Sequence, residues 1–138
     1  MPEHHGRGLV DTNVIIHLPR VDPAELPTEL AISSITLAEL SAGPHATDDP
    51  VERAARIGRL QRTEAAFDPL PFDAEAARHY GRVYAAVLAT NRTPRRRLAD
   101  LLIACTAIAN DLPLYTMNAS DFTSLDRLLR IVPVTRPQ

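Results

Sequence analysis

Four acidic residues of this 138-residue chain, Asp11, Glu39, Asp100 and Asp121, sit where chemistry could be done. Asp11 interrupts the apolar stretch Gly-Leu-Val-Asp-Thr-Asn-Val-Ile-Ile at residues 8–16. That stretch reads as a buried parallel strand, which need not alternate. An unpaired carboxylate inside such a strand is very costly, so the strand is expected to end at or near Asp11. In open α/β sheets the carboxyl ends of strands form the rim where ligands bind. Glu39 lies early in the helix that follows a second strand, Asp100 early in an apolar helix, and Asp121 after a later strand. Strand ends and the helix starts that follow them share one edge of a parallel sheet, so the four can converge. Converging carboxylates repel, and a bound divalent cation relieves the repulsion. All-oxygen donors suit Mg²⁺ or Mn²⁺ rather than zinc. Such a site assists phosphodiester hydrolysis by activating water and screening phosphate charge.

Each acid also has a purely structural reading. Asp11 could be a hydrogen-bonded structural Asp. Glu39 completes Thr36-x-x-Glu39, the pattern of a capping box. Asp100 suits the positive end of its helix, and Asn118-x-x-Asp121 is an ordinary turn and cap pattern. Arg95, Arg96 and Arg97 precede Asp100, and cations at that end oppose the helix dipole. The triplet is either a solvated charge run or a place to hold phosphate.

The elements that must position these groups are legible as an alternation. A second strand is expected at 31–35, then a helix at 36–42 capped by Thr36 and stopped by Gly43-Pro44. Asp49-Pro50 opens a long Arg- and Ala-rich helix reaching about Phe67. After an extended link at 68–72, Asp73 caps a helix to about Ala89, with Ala76, Tyr80, Val83, Tyr84, Val87 and Leu88 as its packed stripe. A further helix at 98–109 presents Leu98, Leu101, Leu102, Cys105, Ile108 and Ala109. Strands are expected at 112–116 and 128–134, separated by a loop or helical turn. Strands alternating with helices imply a parallel sheet covered on both sides. Core packing is the expectation for Cys105, Tyr80 and Tyr84, with a dimer face the alternative for the two tyrosines, and His4 and His5 are expected at the surface.

Composition narrows the classes. The length suits one domain, residues 1–138. All fifteen basic residues are Arg, which excludes any site that needs a Lys, such as a P-loop or Schiff base. The single Cys excludes an intramolecular disulfide or a Cys-based zinc cluster. With no signal-like opening and no apolar run of membrane length, a cytoplasmic location is expected and a membrane partner is not. The net charge of -2 makes no general case for nucleic acid.

Taken together, Val-Asp-Thr-Asn-Val at 10–14, Ile-Thr-Leu-Ala-Glu-Leu at 35–40, Leu-Ala-Asp-Leu-Leu-Ile-Ala at 98–104 and Thr-Met-Asn-Ala-Ser-Asp-Phe at 116–122 occur in one order across nearly the whole chain. This set closely resembles the PIN-domain ribonucleases, and among them the VapC toxins of type II toxin–antitoxin pairs. The resemblance implies an α/β fold, a three-layer α/β/α PIN-like domain with a central parallel β-sheet. It implies a Mg²⁺-dependent endoribonuclease, with Mn²⁺ as substitute, cutting single-stranded or looped RNA. It carries over Asp11, Glu39, Asp100 and Asp121 as the catalytic, metal-binding set, with Asn13, Thr116 and Asn118 as supporting polar groups. It also implies a VapB-like antitoxin as partner and a homodimer. The fourth motif departs from the family, because Met117 stands where an Arg is frequent. Arg95, Arg96 and Arg97 are the candidates to hold RNA in its place.

Rival readings fare less well. A haloacid-dehalogenase-type phosphatase would want a second Asp where Asn13 stands, and later a Lys. A phospho-receiver domain would want an acidic pair and a Lys. A non-catalytic PIN-like module that binds RNA or a partner is the alternative from another class. Retention of all four acids argues against it.

Overall fold

Leu9 and Val10 are neighbours in the chain, yet they enter different hydrophobic cores. The computed structural model describes residues 6–138, so His4 and His5 lie outside the described residues. Strands β1 (Arg7–Val10), β2 (Glu29–Ala31), β3 (Leu114–Thr116) and β4 (Ile131–Pro133) form one sheet in the order β2-β1-β3-β4. Every pairing is parallel, with Leu9 opposite Ala31 on one side and Leu114 on the other. Successive side chains of a strand point to opposite faces. Leu9, Ala31 and Leu114 therefore join one core, while Val10, Ile32 and Tyr115 join the other.

The first core is closed by α4 (Ala74–Ala89) and α5 (Leu98–Ala109), through Val83, Val87, Leu101 and Ala104, together with Phe122 and Leu125 from a 3-10 turn after β3. The second is closed by α1 (Thr12–Ile16) and α2 (Ser34–Ala42), through Val14, Ile15 and Leu40, with Leu60 of α3 (Pro50–Ala66) packed against it. The result is a four-strand parallel sheet flanked by helices, as the alternation implied. Gly8 is required where it stands: a Cβ there would lie 2.4 Å from Cε1 of the buried Tyr115 ring.

Asp49 and Asp73 cap α3 and α4 as expected, each accepting from a backbone N–H of the first turn. Several expectations are corrected, and the strands expected at 112–116 and 128–134 are confined to Leu114–Thr116 and Ile131–Pro133. The second strand lies at Glu29–Ala31 rather than 31–35, and Ser33, not Thr36, caps α2 by accepting from the Ile35 N–H at 2.9 Å. The helix therefore starts earlier, and Thr36 is fully buried inside it. On α4 the stripe is only half covered: Ala76, Val83 and Val87 are buried, but Tyr84 and Leu88 are 41% and 50% exposed. Tyr80 packs against the core and meets Tyr84 edge-on at 5.8 Å. On α5, Leu98 is exposed, whereas Ile103, Ala104 and Ala107 are buried along with Leu101 and Cys105. That helix is enclosed on most sides, so no single stripe describes it.

Candidate metal centre at the carboxyl edge of the sheet

The chain leaves β1 at Val10, and the next residue, Asp11, caps the short helix α1 with backbone φ -68° and ψ 161°. Its Oδ1 accepts from the Thr12 N–H at 2.8 Å, and its Oδ2 accepts from the Thr116 hydroxyl at 2.7 Å and the Asn13 amide at 3.4 Å. Thr116 ends the neighbouring strand β3, so register alone puts its hydroxyl beside Asp11. The Thr116 hydroxyl also accepts from the Asn118 N–H, and the Asn13 side-chain Oδ1 accepts from the Met117 N–H. Asn13, Thr116 and Asn118 thus tie α1 to the segment after β3, with Asp11 between them. Asp11 is 3% exposed. Burial raises its pKa, the Thr116 and Thr12 bonds oppose that rise, and the charges of Glu39 and Asp121 add to it.

Glu39 arrives from α2. Thr12 donates its hydroxyl to Glu39 Oε1 at 2.6 Å. The Thr12 hydroxyl oxygen lies 2.9 Å from the Thr36 hydroxyl. Since Thr12 has one hydroxyl proton and gives it to the carboxylate, Thr36 donates to Thr12. The capping-box reading of Glu39 is thereby corrected: Thr36 is no cap, and the carboxylate ends a relay of two hydroxyls. Thr12 and Thr36 were not singled out as site residues from sequence. Thr12 stood in the polar triplet beside Asp11, but Thr36 looked like a cap.

Asp100 lies in the first turn of α5, where burial, followed by the charges of Asp11 and Glu39, pushes its pKa up to about 6. Asp121 adds to the rise, while Arg97 opposes it. Asp11, Glu39, Asp100 and Asp121 are thus brought to one rim, close enough for their charges to act on one another. The bonds to Asp11 would satisfy a structural Asp, but they give no reason for gathering three more acids around it.

Asp121 is held by Arg97. The guanidinium donates through Nη2 to Asp121 Oδ1 at 3.0 Å and through Nη1 to the Asp121 backbone carbonyl. Arg97 is therefore engaged at the acidic rim, while Arg95 and Arg96 are exposed with no ion-pair partner among the described residues. Arg136 donates to the Asn118 side-chain oxygen at 2.9 Å, a contact across the C-terminal segment that nothing in the local sequence signals.

The donor set is all carboxylate oxygen backed by hydroxyls and amides, which fits a hard divalent cation. Among the described residues, no three Asp, Glu, His or Cys side chains already stand grouped tightly enough to hold one ion. Holding one would draw the carboxylates closer, and an ion would offset both the burial and the neighbouring negative charges that raise the Asp100 pKa. No helix among the described residues is long and apolar enough to cross a membrane.

Over most of its length the chain is similar to known proteins. A PIN domain pattern matches residues 8–128. Ribonuclease VapC5 of Mycobacterium tuberculosis is 35% identical over 122 residues, covering 86% of this chain and 87% of that protein. Ribonuclease VapC of Rickettsia bellii is 31% identical over 129 residues, covering 87% and 91%. Among solved structures, VapBC-5 from Mycobacterium tuberculosis, a member of the VapBC family of toxin–antitoxin systems, superposes with a TM-score of 0.80 at 32% identity, covering 94% of this chain and 98% of that one. A strand that ends in Asp11, a sheet that brings Glu39, Asp100 and Asp121 to the same edge, and these likenesses over most of the chain lead to one statement: the chain belongs to the PIN-domain family, within its VapC group.

Proposed function

We propose that this protein is the toxin of a type II toxin–antitoxin pair, a Mg²⁺- or Mn²⁺-dependent endoribonuclease acting on single-stranded or looped RNA in the cytoplasm. The whole chain, 1–138, acts as one domain. The single observation that carries the reading is the convergence of four carboxylates at one rim, where burial first and then the charges of Asp11 and Glu39 push Asp100 up to about 6.

Asp11, Glu39, Asp100 and Asp121 would hold the cation, which when bound supplies Lewis-acid activation of water and screens charge on the phosphate. Thr116 and Asn13 fix the Asp11 carboxylate, and the Thr36–Thr12 relay fixes one oxygen of Glu39. Arg97 fixes Asp121, leaving its second oxygen to orient the attacking water or help place a second ion. In-line attack by water leaves a 5′-phosphate and a 3′-hydroxyl, and the ribose 2′-hydroxyl takes no part. Arg95 and Arg96, exposed at the start of α5, hold the RNA backbone, with Arg97 contributing charge from the rim. Counterion release then makes binding weaken as salt rises.

A VapB-like antitoxin is the expected partner, as the VapBC assembly of the structural relative indicates. A homodimer is supported by Tyr84 and Leu88, which expose apolar surface one turn apart on α4.

The test is incubation of antitoxin-free protein with a labelled RNA pool and Mg²⁺ or Mn²⁺, beside Asp11→Asn and EDTA controls. Discrete cuts with 5′-phosphate ends that vanish in both controls are expected. Products ending in a 2′,3′-cyclic phosphate would refute the water mechanism. RNA binding without cleavage would favour the non-catalytic module.

A further inference from the structure

Beside the acidic rim, and sharing only Asp121 with the carboxylate set, is a cavity of about 340 Å³ between the end of α4, the start of α5 and the turn that carries Asp121. Its volume lies at the lower end of the range for small-ligand pockets, roughly 300–1,000 Å³. Val87 and Leu101 supply apolar lining, while Asn91, Arg92, Arg96 and Ser124 supply polar groups. The Arg97–Asp121 pair lines it too, so the cavity and the carboxylate rim share a residue.

The α4 end is built rather than frayed. Asn91 sits at φ 60°, its N–H bonds the Leu88 carbonyl, and the Arg92 N–H bonds the Val87 carbonyl. This is a Schellman turn, and it fixes where Asn91 and Arg92 leave the backbone. The Asn91 amide, the Ser124 hydroxyl and the guanidinium groups of Arg92 and Arg96 have no hydrogen-bond partner among the described residues, although Arg97 is spent on Asp121.

An occupant must satisfy three chemistries at once. Two free guanidinium groups want an anion or a flat π-system. A neutral amide and a hydroxyl want donors and acceptors in fixed positions. Val87 and Leu101, core residues 5% and 3% exposed, leave a narrow apolar floor. A nucleotide of unpaired RNA offers all three: a phosphate, a hydrogen-bonding base edge and a base face. A single carboxylate from a protein partner would answer only the first.

Resting on the nuclease reading above, we infer that this cavity receives one unpaired nucleotide of the RNA next to the scissile phosphate, and so governs which sequence is cut. The base lies against Val87 and Leu101, Asn91 and Ser124 read its edge, and Arg92 and Arg96 hold its phosphate. The flanking cations also offset the repulsion that the carboxylates exert on an incoming phosphate.

The test begins without metal or cleavage. Full-length protein in EDTA is titrated by NMR with each of the four nucleoside 5′-monophosphates and with ribose 5-phosphate. One or more nucleotides should bind about tenfold more tightly than ribose 5-phosphate, in line with the worth of a base-edge contact. Asn91→Gly keeps the backbone conformation and removes the amide, and Ser124→Leu fills the cavity. Each should weaken nucleotide binding about tenfold or more. In the cleavage assay, Asn91→Gly should flatten the base preference at one position beside the cut and raise KM more than it lowers kcat.

No nucleotide binding by the parent, equal binding of ribose 5-phosphate, or unchanged binding in Asn91→Gly would overturn the inference. So would variants that bind nucleotides normally yet lose a VapB-like antitoxin, which would assign the cavity to a protein partner. Nucleotide binding that behaves as expected in a protein that cuts no RNA would refute the nuclease reading, and with it the role in choosing a cut, and leave standing only that the cavity binds a nucleotide.

Discussion

Replacing Asp100 by Asn should make the metal-free protein more stable while abolishing its metal-dependent activity. Burial and the neighbouring carboxylates hold the Asp100 carboxyl at about 6 against an ordinary 3.8. At about 1.4 kcal/mol per pH unit, that difference corresponds to about 3 kcal/mol of cost for keeping the group ionised. The side chain is partly exposed, and solvent screening reduces this to roughly 1–2 kcal/mol. Its sign follows from proton binding. Between about 3.8 and about 6 the folded protein holds a proton that the unfolded chain has released. Stability from this group is therefore full below that window and is lost as pH rises through it. Urea unfolding in EDTA at pH 5 and pH 7.5 measures the effect. The parent should lose stability from this source on going to the higher pH, and Asp100→Asn should lose less and be the more stable protein there. With Mg²⁺ at about 100 times its dissociation constant the parent should gain about 2.7 kcal/mol, and Asp100→Asn should gain far less. A variant less stable than the parent at pH 7.5 in EDTA would refute the claim that the carboxylates repel one another. Equal stabilisation of both proteins by Mg²⁺ would refute the claim that Asp100 helps hold the ion.

Thr116→Val removes the hydroxyl that donates to Asp11 Oδ2 and accepts from the Asn118 N–H. It should cost about 1–3 kcal/mol for the buried groups left unpaired, and raise the pKa of Asp11 so that the acid limb of the cleavage profile moves to higher pH. Arg97→Gln releases Asp121 and removes the cation that opposes the rise at Asp100. Activity should fall about 10–100-fold, as for other groups that orient a metal ligand, with the acid limb again moving upward; an unchanged pH profile would contradict the assigned contact. Gly8→Ala forces a Cβ to 2.4 Å from the Tyr115 ring and should cost about 1–3 kcal/mol of overpacking, read by thermal unfolding. Gln at both Arg95 and Arg96 should weaken RNA binding and flatten its salt dependence by about one to two phosphate contacts. An unchanged slope would remove these residues from the RNA interface.

Much of this architecture is written locally. Val10 and Asp11 differ so sharply in hydration that the end of β1 is fixed by sequence, and Asp49 and Asp73 announce helix starts because a short side chain can satisfy a free N–H in the first turn. The order of the four acids, and the family it belongs to, are legible for the same reason: each motif is a short run whose pattern survives without knowledge of its neighbours. Where local signals competed, the chain misled. Ser33 and Thr36 are both good caps, and only the parallel bridge between Ser33 and Leu70 and the depth of Thr36 in the core show which one starts α2. The stripe on α4 promised burial for Tyr84 and Leu88, but periodicity states which residues share a face and not how far the neighbouring element extends over it.

Sequence by itself therefore determined the alternation of strands and helices, the candidate acids and the absence of any Lys-based chemistry. Only the tertiary structure decided what those acids do to one another. Asp11 and Thr116 are 105 positions apart, and Arg97 and Asp121 are 24 apart. The first pair exists because parallel strands bring their carboxyl ends to one edge, and the second because Arg97, at the start of α5, reaches the turn after β3; hydrogen bonds and charge repulsion act through space, where separation along the chain counts for nothing.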